Sequence, residues 1–512
     1  MNSEGHSLYE LRLVSRGASL VMAGVLFSTA FDFIGRLVMA NNLTQSDYGT
    51  IALGLRLLQI ALFVSLVGVN VGIPPLMATS VDDDSELRYL IGSALIISMV
   101  SSSLVTITLF LLSHTLEVVY AIVGLGQFVG LLAWAVIPIV LIKVITGILR
   151  GFNEYKPKVL IEDLLLGSSR FTFIIIAILV MAGVSGIAVA VAGAGLGTSV
   201  AYVVYYIRFS SIGISINKTS TKRVFAFSAP LLWKGLANEI TVSIDILLLG
   251  VFTTSSVVGV FSATVTLSQA INLVLLSLTY LYSPVAAQII SRRNYNDAGQ
   301  LYTIASKWSL VFTFPLFMLL VLYPQTVLLL FGNSYIVGET SLRILSFAYF
   351  IHAILGLSGI TVTSSGKPTI EAAAWTLGVP TAFTASFFLI PIWSSIGAAI
   401  GTLLGISAVN LTNTLYVKRA LGVYPFSVAH VRSIIGALSL CVFMVLLFPE
   451  PQGGFSLIFI PLIALGLIVL STVGVLVAGG FSREDVVFLE LIEDITKVKM
   501  LKLRSLLSRI IR

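Results

Sequence analysis

About fourteen runs of roughly 20 mostly apolar residues follow one another along this chain, joined by short polar connections. They fall near 18–39, 49–71, 89–112, 127–149, 161–183, 186–207, 225–250, 256–283, 301–323, 341–363, 370–391, 396–417, 429–448 and 455–480. Each is long enough to cross roughly 30 Å of hydrocarbon as a helix, whereas a membrane strand needs only about 10 residues of alternating polarity. The predicted fold class is therefore all-α integral membrane. Composition agrees: 57% of residues are apolar and 10% charged, where a soluble protein carries about 25% charged. A soluble chain of 512 residues would need a charged surface that these residues cannot supply. Disorder, collagen-like repetition and nucleic-acid binding fit as poorly, despite the net charge of +7. The single cysteine, Cys441, excludes an intrachain disulfide, and His6, His114, His352 and His430 are far apart, so neither a metal site nor a cofactor is predicted.

Basic residues sort one-sidedly onto the connections. All but seven of the 30 Lys and Arg fall at the termini and on alternate loops, and the opposite loops receive none. The seven exceptions (Arg36, Arg56, Lys143, Arg170, Lys234, Lys307 and Arg343) lie inside spans or at their edges. The positive-inside rule then places both termini in the cytoplasm and makes the number of spans even. The first span is too long for a signal-peptide core and reads as a retained anchor.

Sliding the sequence on itself by 210 positions aligns Gly49 with Gly259, Leu57 with Leu267, Gln59 with Gln269, Val64 with Val274, Leu66 with Leu276 and Pro74 with Pro284. Nearly the same shift pairs Lys156-Pro157 with Lys367-Pro368, and Gly193 and Gly197 with Gly401 and Gly405. Two six-helix repeats are expected, related by a pseudo-two-fold axis along the membrane normal, with two extra C-terminal helices. The expected organisation is a cytoplasmic N-terminus (1–17), an N-lobe (18–224), a C-lobe (225–428), the last two spans (429–480) and a cytoplasmic tail (481–512). Duplicated bundles of this kind house a substrate cavity between their halves.

An ionisable side chain near mid-bilayer costs about 2.5–3.5 kcal/mol on insertion scales, so each one marks pairing or function. In the first span Ser28, Asp32 and Arg36 stack at i, i+4, i+8, and Arg56 follows at a similar depth in the second. Asp32 and Arg36 can neutralise each other within one helix. Arg56 favours a water-filled cavity instead, because it adds a second cation beside a single acid. In the seventh span Lys234, Asn238, Thr241 and Asp245 form a polar stripe, with Glu239 beside it. Arg170 lies deep in the fifth span, whereas Lys143, Lys307 and Arg343 are close enough to span ends to snorkel. His352 reads as a satisfied interior histidine, Gln269 and Asn272 as interhelical hydrogen bonders or substrate contacts, and Glu162 and Asp163 as surface partners of the basic loop before them.

The string Gly193-x-Gly195-x-Gly197 has no preceding strand, so it reads with Gly397, Gly401 and Gly405 as close helix packing and not as a phosphate cradle. Pro230, Pro315 and Pro380 inside spans are expected to bend them. The tail turns from acidic to basic, with Lys and Arg interleaved among Leu, Ile, Val and Met, which predicts an amphipathic helix on the anionic cytoplasmic leaflet.

Several strings resemble the polysaccharide flippases of the multidrug/oligosaccharidyl-lipid/polysaccharide exporter superfamily. They are Asn42-Leu43-Thr44-Gln45-Ser46-Asp47-Tyr48-Gly49 after the first span and Arg150-Gly151-Phe152-Asn153-Glu154-Tyr155-Lys156 after the fourth. Asp245-Ile246-Leu247-Leu248-Leu249-Gly250, Val258-Gly259-Val260-Phe261 and Leu330-Phe331-Gly332 follow in the second half. The resemblance, over about residues 10–425, implies fourteen helices in two lobes. It also implies a plasma-membrane flippase, and no enzyme, that moves a polyprenyl- or dolichyl-(pyro)phosphate-linked oligosaccharide outward by alternating access. A proton or sodium gradient, or the membrane potential, would drive it. Its partners are then that lipid-linked substrate and the surrounding lipids, with no nucleic acid, and a monomer is expected. Physical inference assigns Arg36, Arg56, Lys234, Arg170 and Asn238 to the anionic head group, and Asp32, Glu239 and Asp245 to coupling or charge pairing. The alternatives are a cation-coupled multidrug exporter of the same superfamily, which would favour an acidic cavity, and a membrane glycan polymerase or ligase, which would need a sizeable external loop bearing Arg, His or Glu.

Overall fold

Short polar residues at the ends of the apolar runs set where the helices start. Thr44 caps the helix that follows it by accepting the Asp47 N–H, and Asp83, Asn217 and Asn294 cap theirs in the same way. The computed structural model describes residues 3–80, 83–209, 213–422, 424–447, 456–480, 485 and 493, and among these no strand occurs. The helices in order are α1 (Ser3–Asn42), α2 (Gln45–Leu66), α3 (Val69–Ala78), α4 (Asp84–Tyr120), α5 (Leu125–Ala133), α6 (Val136–Gly151), a π-helical segment (Lys158–Leu165), α7 (Leu166–Leu179), α8 (Gly183–Phe209), α9 (Lys218–Thr241) and α10 (Ile244–Phe252). There follow α11 (Ser255–Gln269), α12 (Asn272–Ser291), α13 (Tyr295–Leu322), α14 (Pro324–Leu328), a 3-10 turn (Asn333–Gly338), α15 (Glu339–Leu355), α16 (Leu357–Ser364), α17 (Pro368–Trp393), α18 (Ser395–Leu421), α19 (Val428–Leu447) and α20 (Ser456–Val477).

Among the described residues every expected span coincides largely with helix. Among the described residues ten helices are long and apolar enough to cross a membrane, or up to 12 if the bent pairs α5–α6 and α9–α10 each make one span. The fifth expected span is different in kind: it begins within the π-helical segment, which also holds Lys158, and carries Glu162, Asp163 and Arg170. The thirteenth, on α19, has a shorter described apolar stretch, Val428–Val442. One face of α4 shows why water is the wrong solvent. Val100, Leu104, Ile107 and Leu111, at helical spacing, are all more than half exposed, an apolar stripe that only hydrocarbon accommodates. The protein is a multi-pass membrane protein.

Helix breaks do not come at the expected prolines. α9, α13 and α17 run through Pro230, Pro315 and Pro380, whereas the 47° bend of the seventh span comes at Val242–Ser243 and the 42° bend of the fourth at Trp134–Ala135. The second span breaks where Val67 and Gly68 both take positive φ, and the Gly68 carbon has the Ser228 carbonyl of α9 so close that a side chain there would collide with it.

The chain divides into two compact units, residues 20–262 with 390–398, and residues 1–19, 263–389 and 399–512. In the first, α6 is almost wholly buried against α3, α4 and α8, and α9 packs on α2, α3 and α4. Position 224/225, the expected start of the C-lobe, lies within this unit. In the second, α13 is the central helix, packed by α12, α15, α19 and α20. Gly195, Gly401 and Gly405 act as close-packing residues: a Cβ on Gly195 would press on Pro138 and Ile139, and on Gly401 and Gly405 it would meet Ser386 and Ala382, whereas Gly197, expected to do the same, has open space where its Cβ would stand. The expected amphipathic tail, 481–512, lies outside the described residues apart from Asp485 and Glu493.

Candidate functional site

Within the first unit, α1, α2, α7, α8 and Ser262 of α11 line a cavity of about 100 Å³. Asp32 and Arg36 enter from α1, Arg56 and Gln59 from α2, and Arg170 from α7. Its other walls include Tyr48, Ile51, Phe171 and Ser262. Three guanidinium groups thus share one small space with a single carboxylate among the lining residues.

Tertiary pairing differs from what helical spacing suggested. Asp32 accepts from Nη1 of Arg170 at 3.2 Å, across 138 positions of sequence, where i,i+4 spacing had offered Arg36. Arg36 lines the same cavity one turn further along α1. Arg56 approaches Glu239 at 3.9 Å, with both side chains only 14% exposed, and Glu239 also accepts from the Ser243 hydroxyl at 3.1 Å. Nε of Arg170 is buried without a hydrogen-bond partner. A buried donor left unmet costs about 1–3 kcal/mol, and an anionic oxygen would satisfy it.

Lys234, Asn238 and Asp245 are not brought to this cavity. Lys234 is half-buried and Asn238 exposed on α9. Lys234, Asn238 and Thr241 share α9, whereas the break at Val242–Ser243 puts Asp245 on α10 and takes it out of their stripe. Thr241 spends its hydroxyl on the Ala237 carbonyl, and Asp245 is buried, accepting the Ile246 N–H at 2.7 Å.

The remaining embedded charges are paired. Lys143, expected to snorkel, donates to Glu162 at 3.1 Å, and Glu162 also accepts from Thr146, which contacts the Tyr202 hydroxyl. Lys158 meets Asp163 at 2.8 Å, but Asp163 is buried, so this pair is no surface bridge. Lys307 is likewise no snorkelling residue: it is buried in α13 against the buried Asp485. Arg343 pairs with Glu339 at 3.9 Å. His352 meets Asn410 at 3.1 Å, the satisfied interior histidine expected, and Gln269 donates to Tyr349 across helices at 3.2 Å. The partners Asp485 and Asn410 are too distant in sequence for spacing to have found them.

Residues 14–290, more than half of the chain, match the polysaccharide biosynthesis protein family. The chain belongs to that family. No curated protein sequence matches it. Solved structures share its fold. The lipid II flippase MurJ in an inward closed conformation superposes with a TM-score of 0.72 at 13% identity, over 88% of this chain and 98% of that one. A multidrug resistance MATE family transporter of the MOP superfamily, inward-facing, gives 0.68 at 15% identity, over 79% and 98%. A MOP superfamily transporter from Pyrococcus furiosus, described as having a binding pocket of reverse polarity, gives 0.61 at 17%, over 81% and 98%. This family member therefore has the MOP transporter fold, and its arginine-lined cavity sits within the stretch that carries the family match.

Proposed function

We propose that this protein is a flippase that moves a polyprenyl- or dolichyl-(pyro)phosphate-linked oligosaccharide from the cytoplasmic to the external leaflet by alternating access between its two repeats. The observation that carries the reading is the cavity in which Arg36, Arg56 and Arg170 face one acid, Asp32. A phosphate or diphosphate head supplies the acceptor oxygens that guanidinium forks bind in pairs. The isoprenoid tail stays in lipid while the head group enters the cavity.

Charge exchange gives the cycle its switch. An incoming head group competes with Asp32 for Arg170 and with Glu239 for Arg56, and each displaced carboxylate becomes a group that a proton or sodium ion can neutralise. That assigns Asp32 and Glu239 to coupling. Lys234 and Asn238, away from the cavity, receive no head-group role in this conformation, and Asp245 receives no coupling role. Both termini are assigned to the cytoplasm by the distribution of Lys and Arg. A drug exporter with cationic substrates would need the opposite cavity charge.

The test is transbilayer movement of a labelled polyprenyl diphosphate-linked oligosaccharide in proteoliposomes, comparing the unsubstituted protein with Arg56→Ala and Arg170→Ala. Movement that collapses in both variants supports the reading. Extrusion of organic cations without any movement of the lipid would replace it with the exporter.

A further inference from the structure

The contact between the start of α2 and the start of α11 has an unusual symmetry. A Cβ on Gly49 would overlap the carbonyl oxygen of Ser255, and a Cβ on Gly259 would overlap that of Gln45. Under the 210-position repeat, residues 45 and 49 correspond to 255 and 259, so each of these contacts is the image of the other. The hydrogen bonds obey the same exchange: Ser46 with Ser255 at 2.6 Å, and Ser256 donating to Gln45 at 2.9 Å. A contact that maps onto itself when two copies are exchanged lies on the axis relating them. This crossing is therefore where the two repeats meet on their pseudo-two-fold axis.

It also closes the arginine cavity at one end. Tyr48, Ile51 and Ala52, flanking Gly49, line the cavity from α2, and Ser262, one turn beyond Gly259, lines it from α11. Tyr48, Gly49, Val258 and Gly259 are buried in the crossing itself. The connection that leads into it, 43–44, is among those without basic residues and is external by the charge rule. The direct contacts across the crossing are made by Gly49, Gly259 and the polar side chains of Gln45, Ser46, Ser255 and Ser256.

We propose that the Gly49–Gly259 crossing is the external gate of the cavity: closed here by direct backbone contact, and opened by separation of the two helix starts when substrate leaves outward. The proposal rests on the alternating-access reading above, and its test separates the two. With Cys441 replaced by Ala and Ser262→Cys as reporter, a membrane-impermeant maleimide is applied to the external face. Gly49→Val, whose side chain cannot fit against Ser255, is expected to raise labelling of the reporter severalfold. Equal labelling with Gly49 and with Val in monodisperse protein overturns the gate.

Should Gly49→Val fail to fold, the near-isosteric pair Ser46→Cys and Ser255→Cys decides. Its oxidation is expected to stop translocation of a polyprenyl diphosphate-linked oligosaccharide, and reduction to restore it. Undiminished movement across the oxidised pair shows a static anchor and overturns the proposal. A reduced protein that moves no such lipid refutes the flippase reading instead, and reporter labelling of the Cys pair before and after oxidation then decides the gate: a fall on oxidation supports it, and no change overturns it.

Discussion

Replacing Arg170 by Ala and Asp32 by Asn should move head-group affinity in opposite directions. The pair is 3.2 Å apart, with the Arg170 side chain 28% exposed and that of Asp32 47% exposed. At that exposure the bridge contributes only about 0.2–1 kcal/mol to stability, so neither variant should unfold. In the bound state Arg170 faces phosphate oxygens, and a charge-assisted hydrogen bond is worth about 1.5–3 kcal/mol. Arg170→Ala should then weaken binding of a short-chain polyprenyl diphosphate by about 10- to 150-fold. Asp32→Asn removes the competitor without removing the cation, and should tighten binding by up to about fivefold, the equivalent of about 1 kcal/mol. Equilibrium titration of purified full-length protein in detergent gives both numbers. Weaker binding in Asp32→Asn, or unchanged binding in Arg170→Ala, would refute the exchange of carboxylate for phosphate.

Further outcomes follow from the other pairs and from packing. Glu239→Gln should release Arg56 and tighten diphosphate binding in the same titration, with thermal stability little changed. Lys307→Met removes the cation paired with the buried Asp485 and should cost about 3–5 kcal/mol, seen as a lower Tm in detergent that Asp485→Asn raises again in the double variant. Gly401→Val, forced against Ser386, should lower Tm by the equivalent of about 1–3 kcal/mol. Gly197→Ala, which meets nothing within 4 Å, should be neutral or slightly stabilising.

Much of this structure is written in local pattern. Apolar length placed the helices, and Thr44, Asp83, Asn217 and Asn294 mark helix starts because a short polar side chain is what an unpaired N–H there requires. Arg36 and Arg56 were legible as neighbours because a short loop holds their helices at equal depth. Arg170 joined them only through folding: its partner Asp32 is 138 residues away, and no periodicity reports a contact of that range. Asp245 left the stripe of Lys234, Asn238 and Thr241 for the converse reason, since spacing is meaningful only while a helix stays straight, and Val242–Ser243 ends α9 without a proline or glycine to announce the break. Lys143 and Lys307 looked like interfacial residues because sequence shows distance from a span end but not the carboxylate waiting on another helix.

Translocation of a labelled polyprenyl diphosphate-linked oligosaccharide into the far leaflet of proteoliposomes tests the central claim most directly. The account predicts movement by the unsubstituted protein that is lost when Arg36, Arg56 and Arg170 are all replaced by Gln in a still monodisperse protein. Movement that persists without those three arginines would contradict it.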